Sequence, residues 1–379
     1  MLILVSGCDN PGSVGSGLTD EGGDVQVLRD TIQVTGTRKL NSFTGSYRTV
    51  SAGQFNDPLF GKISSTGFLK PTLPSADTLF AKGDAIMKMR LLYDPSNVYG
   101  DSLTSQSFDV FPITEYWRSN TQRMDDELEI NEDKKVASFT VGEADSLEIT
   151  LDPEWVKQHF QPYAEDTTAD STYKYEQYGL ALVPQDKGKV VPIDMKSTSF
   201  VIENSEDTVL VPSGQWAYHM SRSDTTSPPP GTAMVHNMLE QVLTLDLGID
   251  SIDVNGPNIS RAELVIYQDQ NTMEQTLADP EQRPQSPKAF LHFIDPNEAP
   301  QNLLPGNPVA QAEFSDKDNA YHFELTQFIS NGIINELDDE KEFYLTLPNN
   351  GGILSDLLFV GPETIQPPEL VITYFKKYQ

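Results

Sequence analysis

Residues 147–151, with the sequence LEITL, run directly into residues 152–160, with the sequence DPEWVKQHF. The alternation of apolar and polar side chains in the first segment predicts a β-strand. Asp152 is a natural N-cap and Pro153 suits the first helical turn, so the second segment predicts a short helix. The same arrangement returns at 321–334, where YHFEL precedes TQFISNGII. A strand followed by a short helix therefore occurs twice in the chain.

Other segments recur in the same order around this unit. The matched pairs are MRLLY at 89–93 with ELVIY at 263–267, FDVF at 108–111 with FLHF at 290–293, YGLALVP at 178–184 with FYLTLP at 343–348, FVI at 200–202 with LFV at 358–360, and VLV at 209–211 with LVI at 370–372. A shared order of this kind indicates an internal repeat. The sequence predicts an all-β fold of two tandem jelly-roll-like β-sandwiches, over about 25–212 and 213–379, with few short helices.

The composition fits two folded domains and excludes several partners. The chain has 379 residues, of which 37% are hydrophobic, and this suffices for two cores at roughly 100–200 residues per domain. Lys and Arg number 26 against 56 Asp and Glu, which gives a net charge of −30. Such a chain repels phosphate groups, so we expect neither nucleic acid nor anionic lipid as a direct partner. The acidity also has a simpler explanation, because net charge keeps a surface protein soluble.

Motifs that would indicate catalysis are absent from the sequence. The single cysteine excludes an intramolecular disulfide or a thiolate zinc cluster, and the five histidines are scattered. There is no G-x-S-x-G, H-E-x-x-H, P-loop or C-x-x-C motif. Carboxylates at 125–127 and 338–340 could contain a glycosidase pair, but both clusters stand in polar loop sequence. We therefore predict that the protein is not an enzyme and has no cofactor.

The N-terminus suggests a lipid anchor on Cys8. The chain opens with MLILVSGC at 1–8, where an apolar run ends in small residues and the cysteine. This resembles the lipobox of bacterial lipoproteins, which implies cleavage before Cys8 and acylation of its thiol. The glycine-rich residues that follow, up to position 24, indicate a flexible tether. No positive charge precedes Cys8, so an upstream start, a shortened N-terminus or an accidental match are the alternatives.

Two kinds of ligand site are suggested by the sequence. Tyr116 and Trp117 follow a predicted strand and precede the polar residues 118–120, so their rings could stack on a sugar. Oxygen-bearing side chains at 94–101 and 316–319 could bind a structural calcium ion. Neither calcium candidate has the glycine and the terminal glutamate of an EF-hand loop, so calcium is the weaker of the two hypotheses.

The second half contains ISRA at 259–262 before its strand at 263–267, a short helix after Leu325, a strand at 343–347 and the ending PPELVITY at 367–374. The first half adds ITEYW at 113–117. With these features each half resembles a DNRLRE-type module, a β-sandwich of bacterial surface proteins. That resemblance implies carbohydrate or cell-wall binding.

A second set of segments consists of Cys8, SVG at 13–15, GQFNDPLFG at 53–61 and YGD at 99–101. Through these segments the whole chain is similar to a lipoprotein family of Bacteroidota outer membranes, a domain of unknown function. The similarity implies an outer-membrane location, display at the cell surface and membership of a larger assembly.

We therefore predict a non-catalytic outer-membrane surface lipoprotein that binds a protein partner or organises an outer-membrane complex. A carbohydrate-binding surface lipoprotein that contacts a polysaccharide is the first alternative, and it rests on the module resemblance and on the aromatic residues. A glycoside hydrolase is the second alternative, and it rests only on the abundance of carboxylates.

Overall fold

The computed structural model describes residues 24–73, 85–163, 169–205, 208–223, 227–249, 258–298, 307–335, 338 and 340–376. Within these ranges antiparallel β-strands dominate and the helices are short, which confirms the predicted all-β class. Cys8 and the glycine-rich residues after it lie outside the described residues.

The strands before residue 224 are β1 (Asp24–Thr31), β2 (Gln33–Arg38), β3 (Thr49–Asp57), β4 (Gly61–Pro71), β5 (Ile86–Leu92), β6 (Tyr99–Asp101), β7 (Gln106–Pro112), β8 (Ala137–Val141), β9 (Ser146–Thr150), β10 (Leu180–Pro184), β11 (Lys189–Asp194), β12 (Ser199–Glu203) and β13 (Thr208–Ser223). The later strands are β14 (Thr232–His236), β15 (Val242–Asp246), β16 (Ile259–Tyr267), β17 (Glu281–Gln282), β18 (Lys288–Ile294), β19 (Ala310–Ser315), β20 (Ala320–Glu324), β21 (Glu342–Thr346), β22 (Asp356–Val360) and β23 (Glu369–Lys376). The α-helices within the described ranges are α1 (Pro153–Phe160), α2 (Ala169–Glu176), α3 (Gln270–Gln275) and α4 (Thr326–Asn335).

The first sandwich contains two sheets that share β13. One sheet has the order β9-β5-β12-β13, and the other has the order β8-β7-β10-β4-β13. β3 also pairs with β4, and β11, β6 and β17 follow beyond β3 in that order. The first five residues of β13 pair with β12, and the remainder pairs with β4. Between Ser213 and Gln215 the register shifts, so the strand bends there from one sheet into the other.

The second sandwich repeats this pairing. One sheet has the order β19-β20-β16-β23-β1, and the other has the order β19-β18-β21-β15-β2. β1 and β2, joined at the buried Ile32, take the place that β13 has in the first sandwich. The pair β14–β22 corresponds to the pair β3–β11, and a helix follows both β9 and β20.

The strands that connect the two sheets are exchanged between the sandwiches. β1 and β2 come before the first sandwich along the chain, yet they pair with β23 and β15. β13 comes before the strands of the second sandwich, yet it pairs with β12 and β4. The predicted boundary at 212/213 falls at the bend of β13, and residues 24–38 contribute to the second sandwich. Residues 25–38, which the sequence assigns to the first sandwich, therefore pair with strands of the second, and residues 213–223, which it assigns to the second, pair with a strand of the first.

The turn of the β3–β4 hairpin and the turn between β14 and β15 each insert into the opposite sandwich. Leu59 and Phe60, in the first turn, are buried in the core of the second sandwich. Met238, in the second turn, is buried in the core of the first sandwich. Met238 and its neighbour Leu239 have φ of 56° and 63°, a conformation that is strained for residues other than glycine. Burial of both side chains, 1% and 7% exposed, offsets this strain.

The helices show what the sequence pattern could detect. α1 begins at Pro153 and α4 at Thr326, as the sequence predicts. Neither α2 nor α3 was predicted, because each is short and mostly polar. α3 nevertheless has an N-cap signal, since the Asp269 carboxylate accepts a hydrogen bond from the N–H of Thr272 at 3.0 Å.

Candidate functional site

The segments 53–61 and 99–101, which carried part of the family resemblance, meet where the two sandwiches touch. The Asp57 carboxylate closes the turn between β3 and β4. Its Oδ1 accepts the backbone N–H groups of Leu59 and Phe60, each at 2.8 Å. The turn thereby directs both apolar side chains into the second core.

Asp57 also forms an ion pair across this junction. Arg283, which follows β17, donates from Nε to Oδ2 at 2.6 Å and from Nη2 to Oδ1 at 2.7 Å. The side chains of Arg283 and Asp57 are 3% and 0% exposed, so the ion pair is shielded from water. The guanidinium also lies over the ring of Phe60, 5.0 Å from its centroid. A buried pair of this kind fixes the relative position of the elements that carry it.

A second ion group lies next to the first. Arg222 of β13 donates to Asp356 of β22 at 3.1 Å and to Glu240 at 2.8 Å. His236 places Nδ1 2.8 Å from the same Asp356 carboxylate. Burial alone would raise the pKa of Asp356, but the charge of Arg222, together with the contacts of His236 and Tyr99, outweighs burial and holds that pKa below its usual range. Asp356 is therefore ionised at neutral pH.

Tyr99 connects the two ion groups. Its hydroxyl oxygen lies 2.8 Å from Oδ2 of Asp57 and 2.5 Å from Oδ2 of Asp356. Burial raises the pKa of Tyr99 well above its usual value, so the phenol keeps its proton. The acids of this cluster are enclosed and contact arginine, histidine or tyrosine groups. The cluster therefore joins the sandwiches and presents no free acid to a substrate.

The structure separates the two predicted aromatic ligand residues. Trp117 is only 5% exposed, its Nε1 donates to the carbonyl of Tyr178 at 2.7 Å, and its ring packs against Phe68. The prediction that Trp117 contacts a ligand is therefore not supported by its position, because its ring is occupied by the core. Tyr116 is 40% exposed and stacks on Tyr175, with 5.6 Å between ring centroids.

The surroundings of Tyr116 include a residue that the sequence did not indicate. Tyr175 lies on α2, which was not predicted, and it is 52% exposed. Arg118 places its guanidinium 5.5 Å from the centroid of the Tyr116 ring and donates to the Tyr116 hydroxyl. Lys174 lies 5.4 Å from the centre of the Tyr175 ring. Two exposed rings and two cations thus form a small aromatic surface on the first sandwich.

The calcium candidates use their carboxylates within their own loops. Asp94 accepts the N–H of Ser96 at 2.9 Å and the amide of Asn97 at 2.6 Å. Asp318 accepts hydrogen bonds from Ser315 and His322 at 2.6 and 2.9 Å. Over the described ranges, no group of three or more His, Cys, Asp or Glu side chains could hold a metal ion.

The solvent-facing side of three strands in the second sandwich forms a continuous surface that we call the outer face. It comprises Val25, Val27 and Arg29 of β1, Glu369, Val371, Thr373 and Phe375 of β23, and Arg261, Glu263, Val265 and Tyr267 of β16. Side chains alternate along a strand, so these residues share one side while Leu28 and Ile372 face the core. A shallow groove of about 400 Å³ crosses this surface.

The outer face has an unusual concentration of exposed apolar side chains at one edge. Val25, Val27 and Phe375 are 59%, 56% and 46% exposed. Val25 and Phe375 are direct cross-strand partners. Nine large hydrophobic side chains are exposed among the described residues, and three of them are adjacent here. Such clustering is typical of a surface that contacts another molecule.

The charges of the outer face are paired. Arg29 lies 2.6 Å from Glu369, and Arg261 lies 2.9 Å from Glu263. Opposite charges therefore alternate on this surface although the whole chain carries −30. Its local charge balance removes the repulsion that would otherwise disfavour an acidic partner.

No helix in the described part of the chain is long and apolar enough to cross a lipid bilayer. A scan of the chain against models of protein families gave no match, and a search of curated proteins also gave none.

Proposed function

We propose that the protein is a non-catalytic surface protein, held at the outer membrane by lipid on Cys8, that binds a protein partner through the outer face. The observation that carries this proposal is the cluster of Val25, Val27 and Phe375 at the edge of a sheet. Burying these three side chains would remove apolar surface from water, at about 25 cal/mol per Å².

The edge of β1 adds a second mode of contact. Among the described strands, β1 pairs only with β23, so no described strand pairs with its other edge. An extended segment of a partner can add to such an edge through main-chain hydrogen bonds. The valines beside the edge would then select the side chains of the added strand. We therefore expect the partner to supply a β-strand with apolar residues at alternate positions.

The anchor and the location rest on the sequence. The lipobox-like residues before Cys8 and the similarity to outer-membrane lipoproteins support them. Mass spectrometry of protein extracted from membranes tests this part. A diacylglycerol adduct on Cys8 is expected, and an unmodified thiol would overturn the anchor.

Partner binding is tested by isolating the native protein in mild detergent and identifying its companions. We expect a stoichiometric partner with the unaltered chain and its loss with Val27→Asp. Leu210→Asp is the matched control, because Leu210 is 63% exposed on a strand of the first sandwich. Isolation of the unaltered protein alone, or equal recovery of the partner with both variants, would contradict the proposal.

Carbohydrate binding is a second candidate, favoured by the stacked rings of Tyr116 and Tyr175. Exposed aromatic rings can pack against the apolar face of a sugar, and nearby cations suit an acidic one. A glycan array should show binding that Tyr175→Ala abolishes while Phe375→Ala leaves it intact. Absence of binding to every polysaccharide on the array would exclude this candidate.

A further inference from the structure

A cavity of about 590 Å³ lies at the junction of the two sandwiches, on a different side of the second sandwich from β1 and β23. The segment around 43–47 and Asn120 line it from the first sandwich side. The second sandwich contributes the turn residues Met238 and Leu239, part of β18 and the residues after β21 to the lining. Its size falls within the range of about 300–1,000 Å³ that is common for small-molecule sites, which often lie between domains.

The lining of the cavity is uncharged. Thirteen described residues line it, and none is Asp, Glu, Lys or Arg, although these types make up 22% of the chain. His292 is the only titratable base among them, and burial lowers its pKa to about 4, so it is neutral at pH 7. A charged ligand would lose its hydration here without gaining an ionic partner among these residues.

Aromatic rings and aliphatic side chains dominate the lining. The rings of Phe43, Tyr47 and Phe290 contribute to it, and Phe290 stands edge-on to His292 with 6.4 Å between their centroids. Aromatic rings favour offset or edge-on contacts with one another, so this arrangement suits a flat aromatic guest. The amide groups of Asn120 and Asn349 add hydrogen-bonding capacity at the edge.

The backbone around the cavity is held in a costly conformation. Met238 and Leu239 have positive φ, and Asn350, next to the lining, has φ of 51°. Residues in this region of φ cost about 1–3 kcal/mol each unless the surroundings impose them, and they concentrate at binding sites. Insertion of the β14–β15 turn thus shapes one wall of the cavity and fixes its width.

We propose that this cavity binds an uncharged aromatic small molecule. The site is independent of the outer face and requires no carboxylate or metal. Contact with the apolar rings of the lining provides the affinity for the guest. The uncharged lining provides the selectivity, because it disfavours charged molecules. The guest contacts residues of both sandwiches, so its binding also stabilises their junction.

The test is a fluorescence titration of the full chain with N-phenylnaphthylamine, an uncharged aromatic probe that brightens in apolar surroundings. Anilinonaphthalene sulfonate has the same rings and a negative charge, and it serves as the matched ligand control. We expect saturable binding of one equivalent of the neutral probe and binding of the sulfonate weaker by at least about tenfold, because none of the lining residues carries a counter-charge for it.

Two variants locate the binding. Phe290→Asp places a charge in the lining, and Asn120→Trp places a large ring at an exposed position on the edge of the cavity. Both should weaken neutral-probe binding by at least about tenfold, whereas Phe375→Asp on the outer face should leave it unchanged. If Phe290→Asp does not fold, Asn120→Trp decides the outcome. Equal binding of both probes, no saturable binding, or unaltered binding by Asn120→Trp would overturn the proposal. Partner capture through the outer face is measured separately, so either idea can fail alone.

Discussion

His159 illustrates how burial decides the charge of a single side chain. It lies 4% exposed in the first core, stacked on Trp155 with 4.4 Å between ring centroids. The hydroxyl of Tyr173 donates to the carbonyl of Pro71 at 2.8 Å and lies 3.1 Å from Nε2 of His159. Since that hydroxyl has one proton, Nε2 must be the donor in the second contact. Burial, with a contribution from the charge of Lys70, lowers the pKa of His159 to about 3.

This pKa predicts a loss of stability in mild acid. An unfolded histidine has a pKa of about 6.5. Below that pH the unfolded chain therefore protonates this imidazole, whereas His159 of the folded protein stays neutral. The contribution of His159 is complete above pH 6.5 and falls by about 1.4 kcal/mol per pH unit as the pH drops toward 3. We expect His159→Gln to lose about 2 kcal/mol less than the unaltered protein between pH 7.5 and pH 5. Urea unfolding at both values measures the difference, and equal losses would contradict the assignment.

Single residues were the hardest features to predict from the sequence. Trp117 stands in polar surroundings along the chain, which favoured a ligand role. Its burial depends on Phe68 and Tyr178, which are brought to it by pairing among β4, β7 and β10. The sequence does not indicate Tyr175 as a surface residue of a site, because its helix α2 has no clear apolar periodicity. Exposure of an aromatic ring is thus set by distant strands that a local pattern does not contain.

Gly53 shows how an element depends on one backbone position. It lies in β3 with φ of 139°, and a Cβ there would stand 2.2 Å from the carbonyl oxygen of Lys189 in β11. We expect Gly53→Ala to lower the free energy of unfolding by at least about 2 kcal/mol, because the strands must separate to admit the methyl group. Gly142→Ala is the matched control, since a Cβ at that position would meet no described atom within 4 Å beyond its own chain neighbours. Its effect should stay within about 0.5 kcal/mol in the same urea unfolding assay. Similar losses for both variants would refute the steric explanation.

At the level of elements the sequence was informative where the pattern was long and regular. The matched segments at 89–93 and 263–267 fall in β5 and β16, which occupy corresponding places. The match of residues 200–202 with residues 358–360 was wrong by one strand. In strand pairing β12 corresponds to β23 and not to β22. The sequence at Met238 and Leu239 also lacks the residues that would predict a turn. Turns with two positive φ values usually contain Asn or Gly, and here burial imposes the conformation instead.

At the scale of the whole molecule, the buried ion pair of Asp57 and Arg283 predicts strong coupling between the sandwiches. Asp57→Asn keeps an oxygen for the turn and leaves the guanidinium without its counter-charge. We expect a loss of about 3–5 kcal/mol in the free energy of unfolding. Glu148→Gln is the matched control, because Glu148 pairs with Arg90 at a site where both are nearly half exposed. That change should cost at most about 1 kcal/mol, and a comparable loss for both would contradict the role given to the junction.

The sequence indicated two similar halves but not the exchange of strands between them. The repeated order of segments follows from local patterns, whereas the partner of a strand depends on contacts across the whole chain. β1 and β2 have the alternation expected of a half-exposed strand, and the same alternation fits either sandwich. In the structure β1 pairs with β23 and β2 pairs with β15. These pairings depend on contacts across the whole assembled fold and not on the sequence of the two strands alone.

The position of β1 beside β23 has a consequence for the order of folding. Arg29 and Glu369, which form an ion pair across these strands, are 340 positions apart in the chain. At a synthesis rate of about 5–20 residues per second, β1 emerges roughly 20–70 s before its neighbour exists. All strands of the first sandwich except the two-residue β17, which pairs with β6, exist once β13 has been made, so most of that sandwich can form during the interval. The second sandwich must wait for the last strand, so β1 and β2 spend the interval as unpaired segments that other chains could capture. A cell that makes this protein therefore has reason to shield residues 24–38 until β23 has been made.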